Sequence, residues 1–181
     1  GNVYTISYNA NGGTGAPSAQ SKDYGKTATI SSTTPTRSGY IFQGWATSSS
    51  ATSASYQPGS SYSSNTSIAL YAVWKENTQS LSLNSSNSAT ISTAEEMKRY
   101  TFTPSASGKY VIYSTGSADT KVYLYNASGT ELSSDDDGGD DRNFRLEYNL
   151  TAGTKYTYGV RYYGSTTGTI SFKFGNVHTI S

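Results

Sequence analysis

Apolar and polar residues alternate with a period of two along most of this chain, the signature of half-buried strands. Residues 3–8 place Tyr4, Ile6 and Tyr8 on one face, 26–30 read as a short second strand, and 35–45 put Tyr40 and Phe42 on one side. Residues 46–67 are serine-rich, broken by Tyr56, Pro58-Gly59 and Tyr62, with a weak helical period only over 46–56. IALYAVW, residues 68–74, is a dense strand and a natural last core element. The turn-rich NANGGTG at 9–15 follows the first strand.

The polar run KENTQS sits between two complete strand patterns and predicts a linker over 76–80. The expected domains are therefore 1–75 and 81–175, with 176–181 as a tail. Residues 81–83 and 89–91 read as early strands of the second domain, with NSSNS at 84–88 as a turn between them. Glu95, Glu96, Lys98 and Arg99 read as a solvated turn. Alternation then becomes regular: Tyr100 and Phe102; Tyr110 and Ile112 against Val111 and Tyr113; Val122 and Leu124 against Tyr123 and Tyr125. Phe144, Leu146, Tyr148 and Leu150 follow, then Tyr156, Tyr158, Val160 and Tyr162, then Ile170, Phe172 and Phe174. Glycine turns punctuate these runs, as an antiparallel sandwich or jelly roll requires.

Composition alters this picture in one respect. Hydrophobic residues make up only 34% of the 181, a level that borders on disorder, but 17 tyrosines supply apolar area and favour strands. The fold class is therefore mainly β. A net charge of +1 provides no basic field for nucleic acid or anionic lipid. No apolar run approaches a membrane span, so no membrane insertion is expected. No signal peptide opens the chain, which begins in a strand-like segment as a piece of a longer secreted protein would. Without cysteine there is no disulfide, thiol chemistry or cysteine-bound zinc.

Two stretches carry family resemblances. YNANGGTGAPSAQSKDYGKT, PTRSGYIFQGWAT and LYAVW resemble the Listeria–Bacteroides repeat of Gram-positive surface proteins. Gly39, Tyr40, Phe42, Gly44 and Trp45 match its hallmark, and residues 70–74 its close. The resemblance covers about residues 3–75. It implies a small β-grasp-like fold, extracellular work often in adhesion, and no catalysis. Trp45 and Trp74 read first as core residues and second as a sugar platform. RYTFTPSASGKYVIYS, DTKVYLYNASGTELSSDDDGG and YNLTAGTKYTYGV resemble the bacterial pre-peptidase C-terminal domain, over about residues 80–175. That resemblance implies a β-sandwich appended to secreted or surface proteins. Some members bind calcium, others collagen-like or polysaccharide material. The acidic run that calcium-binding members carry at the start is replaced here by NTQSLSLNSSNS.

The candidate chemistry is that of binding. SSDDDGGDDRNF, residues 133–144, gathers 5 of the 12 acidic residues around Gly138-Gly139 and predicts an acidic hairpin tip. Asp135, Asp137 and Asp140, with Asp119 from a neighbouring loop, are candidate oxygen ligands for calcium. The alternative is a solvated acidic turn tied to Arg142 or Arg145. Tyr113, Tyr123 and Tyr125 on an outward sheet face, or Arg161, Tyr162 and Tyr163, are candidates to hold a neutral polysaccharide. The bland alternative is tyrosines at the core rim. Catalysis is disfavoured: the single histidine, His178, lies near the end, and no carboxylates are fixed at glycosidase spacing. Gly25-Lys26-Thr27 lacks the first glycine of a phosphate loop, Gln20 standing in its place. The expectation is a pair of non-catalytic extracellular modules, secreted or attached to the cell surface, beside other modules of one parent chain. A polysaccharide or other surface ligand is the expected partner. A calcium-stiffened spacer or a protein-interaction module are the alternatives.

Overall fold

The computed structural model describes residues 1–177; of the expected tail over 176–181, Asn176 closes the last strand, and residues 178–181 with His178 lie outside the described residues. The chain divides into a compact unit over Gly1–Asn77 and a second from Thr78 onward. The strands of the first are β1 (Val3–Asn9), β2 (Gln20–Asp23), β3 (Ala28–Thr29), β4 (Tyr40–Ala46), β5 (Ser61–Tyr62) and β6 (Ile68–Glu76). The sheet runs β2-β1-β6-β4, with β1 and β6 parallel at its centre and antiparallel strands outside. This is a β-grasp-like sheet, and among the described residues no helix crosses it.

Its core is Ile6, Ile30, Trp45, Tyr62, Leu70 and Ala72. Trp45 is fully buried, and Trp74 is partly buried with its indole N–H donating to the Ala10 carbonyl at 3.0 Å. The weak helical period over 46–56 does not become a helix. Ser48 and its neighbours bond locally, Ser50 N–H donating to Ser48 Oγ, as serine does in competition with helix. The insert instead folds onto β4: Ser55 and Tyr56 N–H both donate to the Trp45 carbonyl. Gly44 makes this approach possible. It sits at a bulge with φ +125°, and a Cβ there would meet the Tyr56 carbonyl oxygen at 2.8 Å. β2, lysine- and serine-bearing, had no apolar alternation to reveal it and is defined by pairing with β1.

The second unit holds β7 (Thr78–Ser80), β8 (Ser85–Ile91), β9 (Lys98–Phe102), β10 (Gly108–Thr115), β11 (Thr120–Tyr125), β12 (Glu131–Asp135), β13 (Arg145–Leu150), β14 (Tyr156–Tyr162) and β15 (Gly168–Asn176). They form a sandwich of two sheets, β13-β10-β15-β8 and β12-β11-β14-β9-β7. Every pairing is antiparallel except β7 with β9. The expected alternation fills the core: Tyr100, Val122, Leu124, Tyr158 and Val160 from one sheet, Ile112, Leu146, Ile170, Phe172 and Phe174 from the other. Rings meet edge to face across the core, Tyr158 with Phe174 at 5.4 Å and Tyr100 with Phe172 at 5.2 Å. Buried phenols are satisfied by backbone: Tyr100 donates to Ser88 O at 2.7 Å and Tyr110 to Ala106 O at 2.9 Å.

Three expectations change. Residues 76–80 are strand on both sides of Asn77, β6 ending at Glu76 and β7 running to Ser80. Residues 85–88 are strand as well, because β15 supplies their ladder; only Asn84, at φ +55°, turns. The acidic segment is no hairpin tip. It leaves β12 of one sheet and enters β13 of the other, so it crosses the edge of the sandwich.

Candidate functional site: the tyrosine face of the five-stranded sheet

Period two sends Val122 and Leu124 of β11 inward and Lys121, Tyr123 and Tyr125 outward. On the neighbouring β14 the outward positions are Thr157, Gly159 and Arg161, and on β9 they are Arg99 and Thr101. The register sets Lys121 opposite Arg161 and Tyr123 opposite Gly159, with Gly159 opposite Arg99 on its other side. Gly159 therefore leaves an opening in the middle of the sheet. Met97 covers it: a Cβ at Gly159 would collide with Met97 Sδ and meet Tyr125 Cε2 at 3.4 Å.

Around this opening the rings and cations gather. Tyr123 and Tyr125 lie with centroids 6.2 Å apart and planes within 18° of parallel. The Arg99 guanidinium reaches over the Tyr125 ring at 4.9 Å, from the β9 position opposite Gly159. Lys121 Nζ stands between two rings, 5.4 Å from Tyr123 and 5.6 Å from Tyr163. Tyr163, 53% exposed, follows the end of β14, its N–H donating to Asp119 O at 3.0 Å. Burial raises the Tyr125 phenol above its ordinary value, opposed by the charge of Arg99 and reinforced by Glu131 and Tyr123.

Of the six residues proposed for ligand binding, this face unites Tyr123, Tyr125, Arg161 and Tyr163. Tyr162 is corrected: it points inward with Tyr156, Tyr158 and Val160 and is a buried core residue. Its neighbours Arg161 and Tyr163 face out for the same reason of parity. Tyr113 stands apart on β10 of the other sheet, under the Arg145 guanidinium at 5.6 Å. It lines an open cleft of about 710 Å³ with Gly138, Gly139, Asp140, Asp141 and Asn143. The sequence does not single out Lys121, Met97 or Gly159, and the expected solvated turn over Glu95, Glu96, Lys98 and Arg99 is corrected, Lys98 and Arg99 being the first residues of β9, paired with β14. The register that brings them to the tyrosines depends on strand order, which alternation alone does not encode.

Two of the four aspartates proposed for calcium, Asp135 and Asp119, have partners within the protein. Asp135 Oδ2 accepts the backbone N–H of Gly138 at 2.9 Å and of Arg145 at 2.7 Å. Asp119 pairs with Arg142 at 3.7 Å, and Asp136 with Lys121 at 3.8 Å. Among the described residues no three His, Cys, Asp or Glu side chains come together to hold a metal ion, so Asp119, Asp135, Asp137 and Asp140 do not form one group. Asn143 instead organises the crossing, its amide donating to Gly116 O at 2.6 Å and Asp140 O at 2.9 Å.

No curated protein matches the chain. Among solved structures it is similar to the pre-peptidase C-terminal domain of collagenase from Bacillus anthracis, at 16% identity over 55% of this chain and 96% of that one, TM-score 0.46. It is also similar to PliG, a periplasmic inhibitor of g-type lysozyme. For the Aeromonas hydrophila protein the identity is 12%, the coverage 54% of this chain and 96% of that one, and the TM-score 0.39. For the Salmonella Typhimurium protein the figures are 16%, 54%, 98% and 0.34. The family model of the Listeria-Bacteroides repeat domain matches residues 4–73, so the first unit is similar to that repeat over nearly its whole length.

Proposed function

We propose that the second unit is a carbohydrate-binding module that holds its parent chain against a polysaccharide, the sugar rings lying on Tyr123 and Tyr125. The observation that carries this reading is the pair of near-parallel tyrosine rings on an outward sheet face, 6.2 Å apart. Apolar C–H faces of sugars pack on aromatic rings, and the phenol oxygens at the edge give directional hydrogen bonds. The rings are held in place before any ligand arrives. Arg99 lies against Tyr125, Lys121 against Tyr123, and Met97 Sδ is 4.0 Å from the Tyr125 hydroxyl. Such preorganisation lowers the ordering cost of binding.

The test is native gel electrophoresis through immobilised polysaccharides. The parent chain should be retarded in at least one gel, and Tyr123→Ala/Tyr125→Ala should run freely there while keeping its melting temperature within about 2 °C. An aromatic anchor of this kind is worth more than about 1 kcal/mol, so each single variant should weaken binding at least about fivefold. Unretarded migration in every gel would sink the reading and leave the unit a spacer.

A further inference from the structure

The tyrosine face carries three cations, Lys121, Arg161 and Arg99, and among the described residues only Lys121 has an acidic partner. Lys121 of β11 and Arg161 of β14 stand directly opposite each other, both outward. Like charges in that relation destabilise a sheet. Four other bases of this unit have acidic partners: Lys98 with Glu96, Arg142 with Asp119, Arg145 and Lys109 with Glu147. The chain has 12 acidic residues for 13 lysines and arginines, so partners were available. Yet among the described residues neither Arg161 nor Arg99 has a carboxylate within ion-pair distance. Arg161 Nε donates only to the adjacent Tyr162 carbonyl at 2.9 Å, and Arg99 rests on the Tyr125 ring. Lys121 has Asp136 at 3.8 Å, on the β12 side, away from Arg161.

From this arrangement we infer that the face selects an acidic polysaccharide, one whose sugars carry a carboxylate or sulfate that seats between Lys121 and Arg161. The inference rests on the carbohydrate reading above and narrows it. Lys121 and Tyr123 are two apart on one strand, so a sugar lying on Tyr123 presents a ring substituent to the Lys121–Arg161 pair. Arg161 keeps its terminal nitrogens for a carboxylate or sulfate, which its planar fork fits. Arg99 offers a second cation at the far ring, one sugar along. The bound anion relieves the repulsion that the free sheet carries. A single strand of nucleic acid is the other polyanion that stacks on rings. It is disfavoured because Glu131 and Asp136 line the β12 edge of the same face and would repel a continuous phosphate backbone.

Four probes separate the outcomes: polygalacturonate, dextran sulfate, neutral dextran and a single-stranded DNA oligomer. Each is titrated calorimetrically into the parent chain, Arg161→Gln and Tyr123→Ala. Binding of polygalacturonate or dextran sulfate at least about tenfold tighter than dextran supports the inference. So does loss of about tenfold affinity for that anion in Arg161→Gln, which should melt no lower than the parent because the repulsion is gone. The two acidic arms tell carboxylate from sulfate. Dextran binding as tightly as the acidic polymers, with Arg161→Gln unaffected, overturns the inference and leaves the carbohydrate reading standing. DNA binding tighter than either acidic polysaccharide overturns it too. Absence of binding to all polysaccharides removes both.

Discussion

Single residues here act through close approach and parity. Gly44 is one of the marks of the repeat hallmark, and its reason is local: with φ at +125° and the Tyr56 carbonyl, the Gln57 amide and the Ala54 methyl all within 2.8 Å of a would-be Cβ, no side chain fits. Gly44→Ala should therefore cost about 2–4 kcal/mol, combining backbone strain with displacement of the insert. Urea unfolding of the first unit reads this, and an unchanged midpoint would refute it. Gly159 looks similar and is not. Its nearest neighbour is the flexible end of Met97, so Gly159→Ala should cost under about 1 kcal/mol, Met97 swinging aside. Parity made part of the site legible. The run Tyr156, Tyr158, Val160, Tyr162 assigns Tyr162 to the inner face, so the triplet Arg161, Tyr162, Tyr163 is split by parity.

At the scale of elements, the strands that were legible are those with alternating large apolar residues, such as β10, β11, β13 and β14. β2 and the first four residues of β8 are not, because QSKD and SSNS contain little that alternates; their state is set by β1 and β15 beside them. The acidic segment shows the same limit. Its charge was visible, its direction was not, since only strand order reveals that β12 and β13 lie in different sheets. Asp135 anchors this crossing through two backbone N–H groups, so Asp135→Ala should destabilise the second unit by about 1–3 kcal/mol. Because Asp135, Asp136 and Asp119 serve backbone, lysine and arginine, and no three acidic side chains gather among the described residues, added calcium or chelator should leave the melting temperature within about 1 °C. A calcium-dependent rise would show that the loop rearranges around an ion.

At the scale of the whole molecule, tyrosine takes the place of aliphatic residues as core former, and this gives the second unit a distinctive response to alkali. Burial pushes the Tyr100 phenol up to about 12 and raises Tyr158 as well. In the unfolded chain both ionise near about 10. The folded state thus holds its protons while the unfolded state releases them, so the stability these groups contribute is complete below about pH 10 and lost as pH rises through about 12. Tyrosinate absorbance should accordingly appear in two phases, the exposed rings first and the buried ones together with loss of the near-UV dichroism. Titration of all tyrosines as one non-cooperative phase would contradict a tyrosine-built core.

Whether the outward tyrosines bind sugar is read where it happens by following backbone amide shifts during titration with an oligosaccharide of the polysaccharide that retards the chain. The expected result is a contiguous set of shifts on the outer face of one sheet, at Arg99, Lys121, Tyr123, Tyr125, Gly159, Arg161 and Tyr163, with the first unit and Tyr113 unmoved. Shifts centred on the cleft beside Tyr113, or on Trp74 in the first unit, would place the ligand elsewhere and contradict the assignment of this face.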